Sequence, residues 1–173
     1  IKSEPQFIPE RDGHAHAEDL IHQIAGLNKG KYLYEEEMEA APTDLCVGAA
    51  CYPEKHQEAL NLSTDIAYLK RKVDAGAEYL VTQMFFDNTK YFRFVDLCRS
   101  EGINVPILPG LKPLTTLKHI AFIPKTFSID LPDAFARDLM ACKTDADVKR
   151  VGIAWSTQQA KELKAAGDRK SVV

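Results

Sequence analysis

The amide of Gln83 is the polar group that most needs an explanation in this sequence. It lies in the apolar run YLVTQMFF at residues 79–86, which is rich in aromatic and β-branched residues and is therefore predicted to be a buried strand. Burying an amide without a partner costs about 1–3 kcal/mol, and a glutamine can offer a donor and an acceptor to a heterocycle edge. Strand alternation places Gln83 on the face of Val81 and Phe85, and Asp87 ends the run. We interpret Gln83 as a ligand contact; the alternative is a glutamine bonded to a neighbouring backbone group.

Three further polar side chains follow another short apolar run. Tyr52, Glu54 and His56 come after residues 45–51 (LCVGAAC), which we predict to be a buried strand. Barrel enzymes place their chemistry just beyond the carboxyl ends of parallel strands. Two interpretations stay open, namely a functional loop and an ordinary polar turn between a strand and a helix, which would have the same composition.

A basic flank accompanies the helix predicted from about Thr64 to Ala75. At about 100° per residue, one stripe of apolar positions would face the core: Leu62, Ile66, Leu69 and Val73. Asp65, Tyr68 and Lys72 fall together on the adjoining flank, and Arg71 lies further round. Two interpretations stay open, namely a solvated rim with an Asp–Lys pair and a basic rim that holds a phosphate group near the strand ends.

Alternating strands and helices carry these residues. A third strand is predicted at 105–111 (VPILPGL), and helices are predicted at 15–28, 64–75, 88–101, 114–123, 132–141 and 145–166. This order is typical of parallel βα units, and continuous apolar strands indicate that both sheet faces are covered. Neither a dinucleotide fingerprint nor a P-loop pattern follows a strand, which favours barrel units over a doubly wound sheet. We predict an α/β fold of the TIM (β/α)8 barrel family, present as a partial barrel of about three βα units plus extra helices.

Composition argues against several other classes of protein. The chain has 173 residues, of which 45% are hydrophobic and 27% charged, and its formal charge of −3 gives no footprint for nucleic acid. No apolar run approaches the roughly 20 residues of a membrane span. The four cysteines form no C-x-x-C pair, so we interpret them as reduced core thiols and expect a cytoplasmic location. His14, His16 and His22 lack the converging ligands of a metal site, so no metal is expected.

Several segments resemble the methylenetetrahydrofolate reductase family. They are YPEKHQEA at 52–59, LKRKVDAGA at 69–77, TQMFFD at 82–87 and PILPGLKPL at 106–114, with LIHQIAGLNKGKY upstream and VGIAWSTQQAKEL downstream. The resemblance spans about residues 12 to 166. It implies a β8α8 flavoprotein barrel in which FAD passes reducing equivalents from NADH or NADPH to 5,10-methylenetetrahydrofolate. The product would be 5-methyltetrahydrofolate, and the mechanism would be ping-pong.

The resemblance also implies roles for individual residues. Those that match flavin-binding positions of the family are Tyr52, His56, Ala59, Asp65, Tyr68, Arg71 and Lys72. Arg71 and Lys72 suit the FAD diphosphate, whereas Tyr68 stands where members often have a smaller polar residue. Gln83 matches the glutamine that contacts the folate pterin and, in the other half-reaction, the nicotinamide. His119 stands where some members have a substrate-contacting glutamine, and Phe122 and Phe127 are candidates for a stacking aromatic residue.

Other parts of the resembling barrel have no counterpart in these residues. The general-acid glutamate of the family and the aspartate beside flavin N1 would both precede Ile1, and the last strand would follow Gly167, so no catalytic residue is expected within 1–173. We interpret residues 1–173 as one partial barrel domain of an enzyme that binds folate and forms a homo-oligomer when complete. The alternative is a truncated, catalytically inactive fragment or remnant of that enzyme.

We expect the purified 173-residue chain to show no NADH-dependent reductase activity, because it lacks the acid and the flavin-tuning carboxylate that the resemblance requires. The measurement is NADH oxidation in the presence of FAD and 5,10-methylenetetrahydrofolate. Turnover above a no-protein control would contradict this expectation.

Overall fold

Helices and short strands alternate along the residues that the computed structural model describes, which are 8–11, 13–32 and 41–167. The helices are α1 (Ala17–Leu27), α2 (Leu62–Ala75), α3 (Asn88–Ser100), α4 (Leu117–Phe127), α5 (Asp133–Met140) and α6 (Asp145–Ala165). The strands are β1 (Gly48–Cys51), β2 (Tyr79–Thr82) and β3 (Ile107–Leu108).

The three strands form one parallel sheet in the order β1-β2-β3. Cys51 pairs with Thr82, so β1 and β2 end level with each other, and Leu80 pairs with Ile107 of β3. Helix α2 connects β1 to β2 and α3 connects β2 to β3, as parallel pairing requires. The predicted fold class, an α/β partial barrel of about three βα units with extra helices, is confirmed.

The strands are shorter than the apolar runs that predicted them. Prediction assigned 45–51, 79–86 and 105–111, whereas the paired segments are only four, four and two residues long. The residues beyond β2 are apolar for a different reason. Phe85 and Phe86 are 0% and 1% exposed, so they belong to the core although their backbone has left the sheet.

Only one face of the sheet packs against the helices. The buried side consists of Ala49, Cys51, Leu80 and Thr82, and the more exposed side consists of Gly48, Ala50, Tyr79 and Val81. Burial therefore alternates along β1 and β2, and the prediction that both faces are covered is wrong for the residues that the structure describes. The inner face of the partial barrel is left accessible.

Helix α2 presents the predicted apolar stripe to this sheet. Ile66 and Leu69 are buried in the core beneath β1 and β2, and Leu62 and Val73 pack against that core while partly exposed. The helix begins two residues before the predicted start because the Asn61 side chain accepts a hydrogen bond from the Thr64 N–H at 2.8 Å.

A second core lies among α4, α5 and α6. Phe135 is fully buried there between Phe86, at 5.5 Å between ring centroids, and Trp155, on which it stacks at 4.5 Å. Trp155 Nε1 donates to the Phe86 carbonyl at 3.0 Å, and the buried Gln159 Nε2 donates to the Phe85 carbonyl at 2.9 Å. Helix α6 therefore satisfies the carbonyls that the chain exposes on leaving β2.

The cysteines are all unpaired, but they do not all lie in the core. Cys51 and Cys98 are buried, as predicted, and Cys142 is partly buried. Cys46 is exposed, so its interpretation as a core thiol is wrong: it precedes β1, in backbone that is not yet paired. Within the described ranges, no helix is long and apolar enough to cross a membrane.

Gly110 and Gly152 sit where the backbone approaches another segment too closely for a side chain. A Cβ at Gly110 would lie 2.3 Å from the Thr82 carbonyl oxygen at the end of β2, and a Cβ at Gly152 would lie 2.0 Å from the Leu114 carbonyl oxygen. Both contacts involve backbone atoms, which cannot rotate away as a flexible side chain can.

Gly152→Ala should therefore destabilise the protein by roughly 1–3 kcal/mol, because α6 must move away from Leu114. The sign of this change in stability is informative, since in an unobstructed helix alanine is favoured over glycine by about 1 kcal/mol and the substitution would stabilise the protein. Urea unfolding provides the measurement, with Lys149→Ala at an exposed position of α6 as the control. Equal stability of the two variants would refute the close contact.

Candidate functional site

The residues that follow β1 meet the flank of α2 at the carboxyl edge of the sheet. Lys72 Nζ donates to the Ala50 carbonyl oxygen at 3.3 Å, and the Asp65 carboxylate accepts the His56 backbone N–H at 2.7 Å. Tyr52, Asp65 and Lys72 line one narrow cleft against Leu69. The structure thus brings three of the predicted cofactor residues together, and the β1 pairing and the core-facing stripe of α2 determine where they lie.

The loop that follows Tyr52 is held by short-range contacts. The rings of Tyr52 and His56 meet edge to face with 4.6 Å between their centroids. Lys55 adopts φ 116°, a strained value for a residue with a side chain, and its Nζ donates to the Ala59 carbonyl at 2.7 Å. Ala59 is 6% exposed. Ala59 is therefore a buried part of the loop, and its carbonyl holds the Lys55 side chain.

Burial and charge act in the same direction on Tyr52. Burial raises the pKa of its hydroxyl, and the nearby Asp65 carboxylate raises that pKa further. The phenol therefore remains a neutral hydrogen-bond donor at neutral pH. Burial likewise raises the pKa of the Cys51 thiol, which keeps this neighbouring group protonated.

Arg71 and Tyr68 are directed towards a different neighbour. The Arg71 guanidinium binds the Glu18 carboxylate of α1 through Nη2 at 2.8 Å and Nε at 3.2 Å, and it lies 5.8 Å from the Tyr68 ring centroid. Tyr68 is 48% exposed. The structure therefore separates this pair from Lys72, which contacts β1. A carboxylate already neutralises Arg71, whereas the hydrogen bond that Lys72 forms within the described residues is to a carbonyl.

Gln83 lies one residue beyond β2, so its placement inside a strand is wrong. Its backbone N–H still donates to the Cys51 carbonyl at 2.7 Å, and its Oε1 accepts the Met84 N–H at 3.0 Å. The side chain is partly exposed and shares a cavity of about 330 Å³ with Tyr52 and Val81. Phe85 is instead buried against Tyr91 of α3, because strand alternation stops at Thr82. Gln83 Oε1 thus bonds to a neighbouring backbone group, as the alternative interpretation of this residue predicted. The interpretation as a ligand contact stays open, because the side chain also lines a cavity.

His119 lies on α4 and lines a second cavity of about 470 Å³. Its Nδ1 accepts the Thr115 N–H at 3.3 Å, and Phe122 and Phe127 lie in the same wall with ring centroids 6.4 Å apart. Gln83 is not part of this wall. The two predicted substrate residues therefore line separate cavities, although Met84, the residue after Gln83, lines the cavity of His119.

Sequence reasoning missed an ionic cluster in the same region. Glu54 accepts hydrogen bonds from Lys90 Nζ at 2.5 Å and from the Asp130 N–H at 3.2 Å, and Lys90 Nζ also donates to the Asp130 carboxylate at 2.7 Å. We call these residues the Glu54–Lys90–Asp130 cluster. The sequence places Glu54 in a functional loop or a polar turn, but it does not identify Lys90 and Asp130 as its partners. The sequence did offer one indication of this cluster, because Lys90 lies in the first turn of the helix that follows β2.

The histidines near the N-terminus have contacts of other kinds. His14 bonds to the Gln23 side chain at 2.5 Å, His16 caps α1, and His22 lies 4.0 Å from Glu18. Across residues 8–11, 13–32 and 41–167, no group of three or more His, Cys, Asp or Glu side chains is arranged to hold a metal ion.

Comparison with known proteins shows that the chain is similar to one protein family. A family model described as methylenetetrahydrofolate reductase matches residues 2–172. The chain is 32% identical over 172 residues to methylenetetrahydrofolate reductase (NADH) 1 of Arabidopsis thaliana, covering 94% of this chain and 27% of the relative. It is 38% identical over 108 residues to 5,10-methylenetetrahydrofolate reductase of Escherichia coli (strain K12), covering 62% and 36%. The chain thus spans about a quarter to a third of the length of these curated relatives.

A solved chain from Clostridium thermocellum is also similar in part. It is described as an uncharacterized protein that binds two copies of 5-methyl-5,6,7,8-tetrahydrofolic acid. The TM-score is 0.48 at 20% identity, with 75% of this chain and 48% of that chain covered. A likeness of this size supports no conclusion about the present chain.

Asp65→Ala should destabilise the protein by about 1–2 kcal/mol even without any ligand, because the His56 N–H loses a charged acceptor. The free energy of unfolding in urea is the measurement. Asp74→Ala is the matched control, since Asp74 lies on the same helix and its side chain is 59% exposed in a pair with Lys70. An effect no larger than that of the control would show that Asp65 does not anchor the loop.

Proposed function

Since the chain belongs to the methylenetetrahydrofolate reductase family, we propose that it forms the FAD- and folate-binding part of a reductase that converts 5,10-methylenetetrahydrofolate to 5-methyltetrahydrofolate. NADH or NADPH would supply the reducing equivalents. The complete protein would carry out this reaction, because this chain spans only part of the length of its relatives.

One observation carries the proposal. Tyr52, which directly follows β1, lines both the cavity that contains Gln83 and the narrow cleft that contains Lys72, so one residue at the carboxyl edge of the sheet borders both. Barrels of this class bind their ligands at this edge. The pairing of Cys51 with Thr82 aligns the two strand ends, so the loops that carry Tyr52 and Gln83 begin side by side.

The chemistry of these residues fits a flavin. The Tyr52 ring, the Ala50 methyl group and the Tyr79 ring, which lies over Gly48, line the cavity of about 330 Å³ on the open face of the sheet. This cavity leaves room beside them for a flat apolar ring. Lys72 offers an ammonium group that has no carboxylate partner in the described part of the chain, which suits a diphosphate. Tyr52, His56, Ala59, Asp65, Tyr68, Arg71 and Lys72 would together hold FAD.

The seven residues would not contribute equally. Asp65 and Ala59 shape the loop, and Arg71 is already paired with Glu18, so Lys72 would provide most of the attraction for phosphate. When bound, FAD would accept reducing equivalents from the reduced nicotinamide and supply them to the folate.

The folate would lie beyond the end of β2. Gln83 has an amide Nε2 that can donate and an Oε1 that now accepts only a backbone N–H, so it can contact a pterin edge that has both donors and acceptors. His119 would act from the neighbouring cavity, where Phe122 and Phe127 provide aromatic surface for a stacked ring.

The test compares the flavin and folate halves of the site in the complete protein. Replacing both Arg71 and Lys72 by Ala should weaken FAD binding by about tenfold or more, since two cations that can contact phosphate are lost. Gln83→Ala should retain FAD and impair folate reduction. FAD affinity is measured by quenching of flavin fluorescence, and folate reduction is measured per bound flavin.

The two variants serve as controls for each other. Unaltered FAD affinity in the Arg71 and Lys72 variant would refute the diphosphate assignment. Loss of FAD in Gln83→Ala, with unchanged folate reduction per bound flavin, would refute the substrate role of Gln83. Arg71→Ala alone should have the smaller effect on FAD, because Glu18 already neutralises Arg71.

A further inference from the structure

Glu54 connects three loops that lie far apart in the sequence. It lies in the loop between β1 and α2, whereas Lys90 belongs to the first turn of α3 and Asp130 lies between α4 and α5. One carboxylate oxygen, Glu54 Oε2, accepts both the Lys90 ammonium at 2.5 Å and the Asp130 backbone N–H at 3.2 Å. A single side chain therefore ties the loop after β1 to segments that follow β2 and β3.

The inner pair of the Glu54–Lys90–Asp130 cluster is the one protected from solvent. The Glu54 side chain is 10% exposed and that of Lys90 is 31% exposed, whereas the Asp130 side chain is 84% exposed. Burial alone would lower the pKa of Lys90, but its hydrogen bonds to Asp130 and Glu54 outweigh that effect and raise the pKa. Lys90 therefore stays charged, and the Glu54–Lys90 pair is screened much less than a surface pair.

Stability alone does not explain a glutamate at this position. Its second oxygen, Oε1, is buried and has no hydrogen-bond partner among the described residues. Desolvating such an oxygen is costly, and replacing a buried ion pair by apolar side chains is often neutral or stabilising. Because desolvation offsets part of the attraction in this partly buried pair, the geometry that the pair imposes is the better explanation for the glutamate.

We propose that Glu54 is a positioning residue that fixes the loop carrying Tyr52 and His56 relative to the segments after β2 and α4. Glu54 lies midway between Tyr52 and His56 in the sequence, and Lys90 lies in the helix that begins shortly after Gln83. Asp130 follows the helix that carries His119. The cluster thus sets the spacing between the two halves of the candidate site. The flavin and folate roles of those halves rest on the function proposed above, but the positioning itself does not.

Amide hydrogen exchange of the ligand-free 173-residue chain tests the positioning. In Glu54→Gln, the Asp130 and His56 amides should exchange about tenfold faster, because both loops open locally when the charged acceptor is lost. The Leu80 amide, which donates to the Pro106 carbonyl within the sheet, should change less than about twofold. His56 is the decisive probe, because its N–H donates to Asp65 and not to Glu54.

Glu58→Gln is the matched control. Glu58 lies in the same loop with its side chain 70% exposed. Its carboxylate lies 3.8 Å from the His56 ring nitrogen, whereas the His56 N–H donates to Asp65, so the exchange of all three amides should stay as in the unsubstituted chain. Lys90→Met should also show the faster exchange at the His56 amide. Lys90→Arg should show much less of this increase, because it keeps a cation beside Glu54. If Glu54→Gln does not fold, these two Lys90 variants decide the question.

Two results would overturn the proposal. If the exchange rates of the Leu80 and His56 amides rise equally, Glu54 only stabilises the whole fold. If the Asp130 amide exchanges faster but the His56 amide does not, Glu54 only forms a local hydrogen bond with Asp130. In the complete protein, Glu54→Gln should also lower FAD affinity roughly threefold or more, whereas Glu58→Gln should not. Unchanged FAD affinity with faster exchange would overturn the link to the flavin residues. Absence of FAD binding in the unsubstituted protein would instead refute the proposed function.

Discussion

The hydrogen bond from the Gln83 N–H to the Cys51 carbonyl, at 2.7 Å, is the contact on which the candidate site depends. It extends the pairing of β1 and β2 to the point where both strands end, so Tyr52 and Gln83 begin their loops side by side. A shift of one residue in this register would turn the side chains of β2 to the opposite face of the sheet. The cavity on the open face and the core on the covered face both follow from this alignment.

Polar groups at the strand ends are satisfied by elements from elsewhere in the chain. The carbonyls of Phe85 and Phe86 are exposed by the departure from β2, and Gln159 and Trp155 of α6 donate to them. Asp65 of α2 plays the corresponding part for the loop after β1. Each loop is therefore anchored by a helix, which explains how short strands can support the longer loops that follow them.

The sequence predicted the helices and the parallel arrangement well, because apolar periodicity and the spacing of βα units are local signals. It overestimated the strands, since Phe85 and Phe86 are apolar for core packing and not for pairing. At the site, helical periodicity correctly placed Asp65 beside Lys72. It placed Arg71 further round the helix than Lys72, but it grouped Tyr68 with Lys72 and did not identify the Glu18 partner of Arg71, which lies 53 residues away in the sequence. The Glu54–Lys90–Asp130 cluster was missed for the same reason: its members meet only in the fold.

Position 110, at the carboxyl edge of the sheet, has no room for any residue other than glycine. The Gly110 N–H donates to the Thr82 hydroxyl at 2.9 Å, and the Thr82 carbonyl occupies the space that a Cβ would need. Any side chain at position 110 would push the end of β3 away from β2 and widen the gap beside Gln83. Substitutions at Met84 and Lys112, whose side chains line a cavity, can alter that cavity without moving the strands, while position 110 keeps its glycine.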